Sequence, residues 1–197
     1  MKVGCVTLSG GFLLLIAFLN YMDREGMVWL SLIACTLHEL GHLLVLGCMG
    51  VRVREVSLTV VGAEIQLKTP LSYGQELLAA IAGPLVNGIL AVCFARWSLF
   101  AGINWLLAGF NLLPVGGLDG GRVLFCTLAQ VLEQERCFAI CRRVEQMTVT
   151  VLLISGILLL GVGGSATLTI TAGWLFFAVW GKKNGKNSCH LCKKRVK

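Results

Sequence analysis

Leu37–His42 reads LHELGH, and this motif interrupts a segment, Met27 to Met49, that is otherwise almost wholly apolar. Such a segment is long enough for a helix that crosses a bilayer, which needs about 20 residues. His38 and His42 are four residues apart, so on a helix of 3.6 residues per turn they lie on one face. Ionisable side chains within a membrane are costly and usually mark a functional site. The motif therefore predicts a membrane-spanning helix that carries chemistry.

The composition of the whole chain agrees with a membrane protein. Of the 197 residues, 56% are hydrophobic and only 14% are charged, with a mean hydropathy of +0.81. Soluble domains contain about 45–50% apolar residues. Because apolar segments take up nearly all of the sequence, we expect no separate soluble module among these residues. Any chemistry is therefore expected in or near the bilayer.

Several apolar segments predict an all-α polytopic membrane protein with six crossings. The first segment resembles a secretory signal, but it lacks a small-x-small cleavage site and is predicted to be an uncleaved helix. Leu124–Val144 alternates charged and apolar residues, which predicts an amphipathic helix at the interface. The six predicted spans are Val3–Leu19, Met27–Met49, Glu76–Arg96, Trp97–Val115, Met147–Val162 and Ala166–Trp180.

Residues 51–68 have a different pattern from the apolar segments. Val, Thr and Ile recur at every second position and Gly62 breaks the run, which predicts a strand or hairpin. Backbone groups of a strand must not face lipid unpaired, so we expect these residues at the interface or lining a protein cavity near the active site. An unpaired edge there could accept a substrate strand. A purely structural hairpin that closes the cavity is the alternative.

The net charge of +7 is concentrated at residues 182–197, which hold seven basic residues and no acidic one. Basic residues next to a membrane span predict a cytoplasmic tail that contacts anionic lipid. We expect no nucleic-acid partner for such a short basic segment beside a membrane. Residues 1–181 form the predicted membrane domain. Six crossings place both ends of the chain, and the loop that follows Asp119, in the cytoplasm.

The cysteines predict buried thiols. Seven of the nine lie in or beside apolar segments, which does not fit a disulfide scaffold. Cys189 and Cys192 form one C-x-x-C pair around His190. Half of a zinc knuckle is one interpretation of this pair, but a second such pair is missing from the sequence and the role of the two cysteines stays open.

The polar residues of the second span have the spacing of a metal site. His38 and His42 can each offer an imidazole nitrogen to one ion, and Glu39 lies about 100° around the helix, where it can reach a water without being a ligand. A catalytic zinc normally has three protein ligands. Asp119, within Gly-rich Asn111–Arg122, is one candidate and Cys35 is the competitor. Hydrogen bonding between helices and a simple turn at Asp119 are the structural alternatives.

Three motifs together closely resemble the site-2 protease family of intramembrane zinc metalloproteases. They are HELGH in the second span, AGPLVNG at Ala82–Gly88 and NLLPVGGLDGG from Asn111. The resemblance implies that Glu39 is the general base and that an extended substrate is held in a cleft. The residues that it implies as ligands of Zn²⁺ are His38, His42 and Asp119, and those that line the cleft are Asn87 and Asn111.

The resemblance also implies regulated proteolysis of membrane-embedded or membrane-tethered proteins, with a regulator protein as a possible partner. The compact plan is most similar to the sporulation-type branch, whose members release a membrane-tethered transcription-factor precursor on the cytoplasmic side of a bacterial membrane. No segment has the length of a PDZ or CBS domain. A metal transporter is an alternative, but transporters usually contain a repeated half. A non-catalytic scaffold is another, but Glu39 and the ligands are all present.

Overall fold

The computed structural model describes residues 2–3, 6–23, 26–59, 62–163 and 166–181. These residues form seven α-helices and four β-strands, and they divide into two compact units at the Phe110–Asn111 bond. The strands are β1 (Lys2–Val3), β2 (Val6–Leu8), β3 (Val53–Thr59) and β4 (Gly62–Leu67). The helices are α1 (Gly10–Met22), α2 (Met27–Cys48), α3 (Tyr73–Cys93), α4 (Ser98–Asn111), α5 (Asp119–Leu128), α6 (Gln134–Gly161) and α7 (Thr167–Trp180).

Helices α2 and α3 pack closely in the first unit because small residues line their contact. A Cβ added at Gly41 of α2 would lie 2.8 Å from Val86 Cγ2 and 3.1 Å from the Ala82 carbonyl oxygen of α3. Small residues let two helix backbones approach closely. The start of α3 is fixed by a capping box between Ser72 and Gln75.

The predicted hairpin at residues 51–68 is confirmed as β3 and β4, which pair antiparallel. Ile65 and Leu67 of β4 pack against Leu46 of α2 and Ala79 of α3. The sheet order is β1-β2-β3-β4, and β2 runs parallel to β3. Strand β3 is therefore paired on both sides, and β4 is the edge of the described sheet on this side.

The predicted first span, Val3–Leu19, is wrong at its start. Lys2–Val3 and Val6–Leu8 are strands, and the helix begins only at Gly10, with the Ser9 hydroxyl accepting a hydrogen bond from the Phe12 N–H. The Thr7 hydroxyl lies 2.9 Å from that of Ser57 in β3. A short apolar run cannot be assigned to strand or helix by periodicity alone, because the pairing partner decides.

In the second unit, α6 and α7 pack around one apolar cluster. Val149 of α6 and Leu175 and Val179 of α7 are buried together with Val115, which lies in the loop before α5. The predicted interfacial helix Leu124–Val144 is wrong, because α5 ends at Leu128 and α6 continues without a break from Gln134 to Gly161. No proline or glycine interrupts α6 before Gly156, so its charged first turns and its apolar part form one helix.

By length and composition, three of the described helices can cross a membrane: α2, α3 and α6. Helices α1 and α7 are apolar but have only 13 and 14 residues, whereas a span needs about 20. The six crossings are therefore not confirmed. Large apolar side chains such as Leu14, Leu106 and Phe177 are exposed, as expected of surfaces that face lipid. The chain is an integral membrane protein.

The predicted basic tail and the Cys189/Cys192 pair lie outside the described residues. The predicted fourth span, Trp97–Val115, is shorter in the structure, because α4 ends at Asn111 and irregular backbone follows as far as Leu118. Within Gly-rich Asn111–Arg122, the last four residues belong to a helix, because α5 begins at Asp119.

Candidate metal centre

His38 and His42 lie on one face of α2, as their spacing predicts. Both side chains are buried, each with 4% of its surface exposed, and their Nε2 atoms are 3.1 Å apart. Two nitrogens that bind one zinc at 2.0–2.1 Å with tetrahedral geometry are about 3.3 Å apart. The two rings stand at 83° to each other, with both Nε2 atoms at the contact. The pair therefore fits one ion between these atoms.

A hydrogen bond to α3 fixes the tautomer of His42. The Nδ1–H donates to the backbone carbonyl of Ala79 at 2.6 Å. Because a carbonyl oxygen can only accept, Nδ1 carries the proton in the neutral ring, and the lone pair is on Nε2. A second hydrogen bond of this kind is usual for histidines that bind metals, since it also fixes the ring orientation. The donor pair suits Zn²⁺.

Gly83 of α3 leaves open the space in front of both nitrogens. A Cβ at this position would lie 2.6 Å from His38 Nε2 and closer still to His42 Nε2. The histidine face of α2 thus approaches α3 closely at Gly83. A side chain at Gly83 would occupy the space that an ion bound by both rings requires.

Gly83→Ala is expected to abolish zinc binding by steric exclusion. Removing a group that hydrogen-bonds to a metal ligand typically lowers metal affinity by about 10- to 100-fold. The loss in Gly83→Ala should be larger, because the methyl group would occupy the space of the ion itself. Zinc affinity, measured by competition with a chelator, checks this result.

The matched control is Gly88→Ala, in the same helix, where an added Cβ has no atom within 4 Å. This variant should keep the zinc affinity of the parent chain. Equal affinity in both variants would show that the ion does not lie between the two Nε2 atoms.

Glu39 and Asn87 flank the histidine pair in the first unit. Glu39 follows His38 in α2 and is half-buried. Asn87 lies one turn after Gly83 on α3 and has no exposed surface. Neither its Oδ1 nor its Nδ2 has a hydrogen-bond partner among the residues that the structure describes. A buried amide without partners is costly, so a group that binds there supplies the missing hydrogen bonds.

Asp119 is the first residue of α5 and is 7% exposed. The positive end of the helix dipole favours a carboxylate at this position. Arg122, one turn later, has its Nη1 3.5 Å from Asp119 Oδ1. The predicted turn character holds only for the preceding loop, in which Gly117 has a φ of +126°.

Three buried side chains of the described residues have the donor atoms of a zinc site: His38 and His42 in the first unit, and Asp119 in the second. Each has at most 7% of its surface exposed. Cys35, in contrast, is exposed. The donors, two imidazoles and a carboxylate, are those of catalytic zinc sites with an open position. Asn111 is the last residue of α4 and is half-buried.

Three buried polar residues were not predicted from the sequence: Glu76, Asn104 and Glu145. Glu145 accepts a hydrogen bond at 2.8 Å from the N–H of Gly116, in the loop before Asp119. An ionisable residue close to a predicted span was the available signal for Glu76 and Glu145. The available signal for Asn104 was a polar amide in the middle of an apolar helix.

The family model for Peptidase family M50 matches residues 93–155, a segment with Asn111 and Asp119 but not the histidine motif. The chain is 28% identical over 166 residues to the zinc metalloprotease MJ0392 of Methanocaldococcus jannaschii, with 75% of this chain and 48% of that protein covered. It is 30% identical over 139 residues to stage IV sporulation protein FB of Bacillus subtilis, with 61% and 47% covered. The chain thus spans less than half the length of these relatives.

A solved structure of the site-2 protease from Methanocaldococcus jannaschii has the same fold. The TM-score is 0.66 at 23% identity, over 93% of this chain and 94% of that one. The chain therefore has the fold of a site-2 protease, and its residues 93–155 match Peptidase family M50.

Proposed function

We propose that the chain is an intramembrane zinc endopeptidase that hydrolyses peptide bonds of membrane-embedded or membrane-tethered proteins. The observation that carries this proposal is the pair of buried imidazoles with Nε2 atoms 3.1 Å apart, next to a glutamate in an apolar helix. Hydrolysis in the membrane needs a group that activates water, a base and a place to hold the substrate. The proposed assignments supply all three.

The metal ligands in this proposal are His38, His42 and Asp119. When bound, Zn²⁺ supplies Lewis-acid activation of a water molecule and polarisation of the scissile carbonyl. The hydrogen bond from His42 Nδ1 to the Ala79 carbonyl leaves the Nε2 lone pair of His42 as the one that would bind the ion. Glu39 takes a proton from the attacking water on its carboxylate and delivers it to the nitrogen of the leaving amine.

Asn87 and Asn111 are proposed to hold the substrate in an extended conformation. A peptide bond in a helix is shielded by its own hydrogen bonds, so the substrate must unwind before attack, and its backbone groups then need new partners. The buried amide of Asn87 offers one acceptor and two donors, which match the N–H and C=O of a peptide.

Asn87→Ala is expected to lower kcat/KM for cleavage while zinc binding is unchanged. Two neutral hydrogen bonds of about 0.5–1.5 kcal/mol each correspond to a loss of about 5- to 150-fold. Cleavage of a single-span substrate together with the zinc content of each variant checks this.

Leu85→Ala, which changes an exposed side chain two residues before Asn87, is the control and should cleave normally. Loss of zinc from Asn87→Ala would mean that this residue supports the metal and not the substrate.

The function is tested with the purified chain in lipid vesicles that contain a single-span protein substrate. Two fragments that end within or next to the span are expected, and they should disappear with a zinc chelator and return when Zn²⁺ is added. The same vesicles test the transporter alternative, because zinc loaded inside should stay there. Zinc release without cleavage would favour transport, and zinc binding without either would favour a scaffold.

We further propose that residues 1–181 form one membrane domain with six crossings and that residues 182–197 are a basic cytoplasmic tail on anionic lipid. The basic residues outside the apolar segments favour this orientation, with the active site toward the cytoplasm of a bacterium. Reporter fusions after residue 181 should be active in the cytoplasm. Activity only on the opposite side would reverse the topology.

We also propose that a regulator protein acts on this protease.

A further inference from the structure

Glu145 is a buried carboxylate that the proposed reaction does not use. Its side chain lies on α6 with 5% of the residue exposed, and Oε1 accepts a hydrogen bond from the Gly116 N–H at 2.8 Å. A buried charged acceptor needs such bonds, and they are stronger than bonds between neutral groups.

Gly116 lies in the loop that leads into α5, and the loop backbone touches the first turn of that helix. A Cβ at Gly120 would overlap the Leu112 carbonyl, and one at Gly121 would lie 2.6 Å from the Val115 carbonyl carbon and 3.0 Å from the Gly116 nitrogen. Because no side chain separates the loop backbone from the first turn of α5, a shift of the loop would also move Asp119, the first residue of that turn.

The same face of α6 holds the loop at two neighbouring points. Val115 packs on Val149, which follows Glu145 by one helical turn. This apolar contact limits the distance between loop and helix. Unlike this apolar contact, the hydrogen bond from Gly116 to Glu145 is directional, so it orients the Gly116 peptide group.

We propose that Glu145 is a positioning residue that orients the Asp119 carboxylate through the Gly116 loop, so that metal affinity depends on this hydrogen bond. The inference rests on the proposed function, in which Asp119 is a zinc ligand. Groups that orient the ligands of a metal typically change its affinity by about 10- to 100-fold.

The test compares Glu145→Ala with Glu145→Gln in the full chain. Glutamine keeps an oxygen that can accept the Gly116 N–H, whereas alanine does not. We expect zinc affinity, measured by chelator competition, to fall about 10- to 100-fold in the alanine variant and to stay within about threefold in the glutamine variant. With Co²⁺ in place of zinc, the absorption spectrum should change in the alanine variant only, because it reports ligand geometry.

Leu175→Ala controls for general loss of stability, since it removes a side chain from the apolar cluster at Val115 and Val149. If Leu175→Ala and Glu145→Ala lose a similar amount of thermal stability, Leu175→Ala should still bind zinc more tightly than Glu145→Ala. Equal zinc affinity in Glu145→Ala and the parent chain, or equal loss in both Glu145 variants, would overturn the inference. Asp119→Asn is measured alongside, and full zinc binding there would instead overturn the proposed function.

Discussion

Replacing Glu39 with glutamine is expected to reduce peptide-bond cleavage by about 100- to 10,000-fold while the zinc content stays that of the parent chain. Glutamine has nearly the shape of glutamate, but its amide does not take up a proton at neutral pH. The metal ligands are unchanged, so the ion remains. The prediction is measured as cleavage of a single-span substrate in vesicles, together with metal analysis of the same preparations.

Glu133→Gln is the matched control, because this glutamate is highly exposed at the start of α6. It should cleave at the parental rate. Cleavage by Glu39→Gln at more than about one tenth of the parental rate would remove Glu39 as the general base, since such a base contributes at least about 100-fold. Loss of zinc from that variant would make Glu39 a ligand instead.

Replacing Asp119 with asparagine is expected to lower zinc affinity by more than about 100-fold and to stop cleavage. A neutral amide is a much poorer zinc ligand than a carboxylate, and two imidazoles alone leave the usual set of three protein ligands incomplete. The side chain is buried at the start of α5, so water does not freely take its place. Chelator competition measures the affinity.

Cys35→Ala separates the two candidates for the third ligand. Cys35 is exposed on α2 and should be replaceable with no change in zinc affinity. If Asp119→Asn kept full zinc occupancy and Cys35→Ala lost its zinc, Cys35 and not Asp119 would be the third ligand.

The histidine face could be predicted from the sequence because it depends only on local geometry. Residues four apart stack on any helix, and α2 has nearly the predicted bounds. The importance of Gly83 could not be predicted in this way. Only the packing of α2 on α3 shows that the histidine nitrogens lie next to this residue.

Contacts between residues far apart in sequence could not be predicted. The bond between Gly116 and Glu145 joins residues 29 positions apart, and no periodic pattern encodes it. The strand at residues 6–8 likewise depends on pairing with β3, about 50 residues away, and the strand at residues 2–3 pairs with it in turn. Without that partner, their apolar residues are indistinguishable from the start of a helix.

The central claim is that one zinc ion is bound by His38, His42 and Asp119 within an apolar protein. The most direct test is X-ray absorption at the zinc edge on the purified full chain, because nitrogen and oxygen ligands lie at about 2.0–2.2 Å and a thiolate sulfur at about 2.3 Å. We predict one zinc per chain, two imidazoles and no sulfur in the shell. A chain purified without zinc, or a shell that contains sulfur, would contradict this assignment.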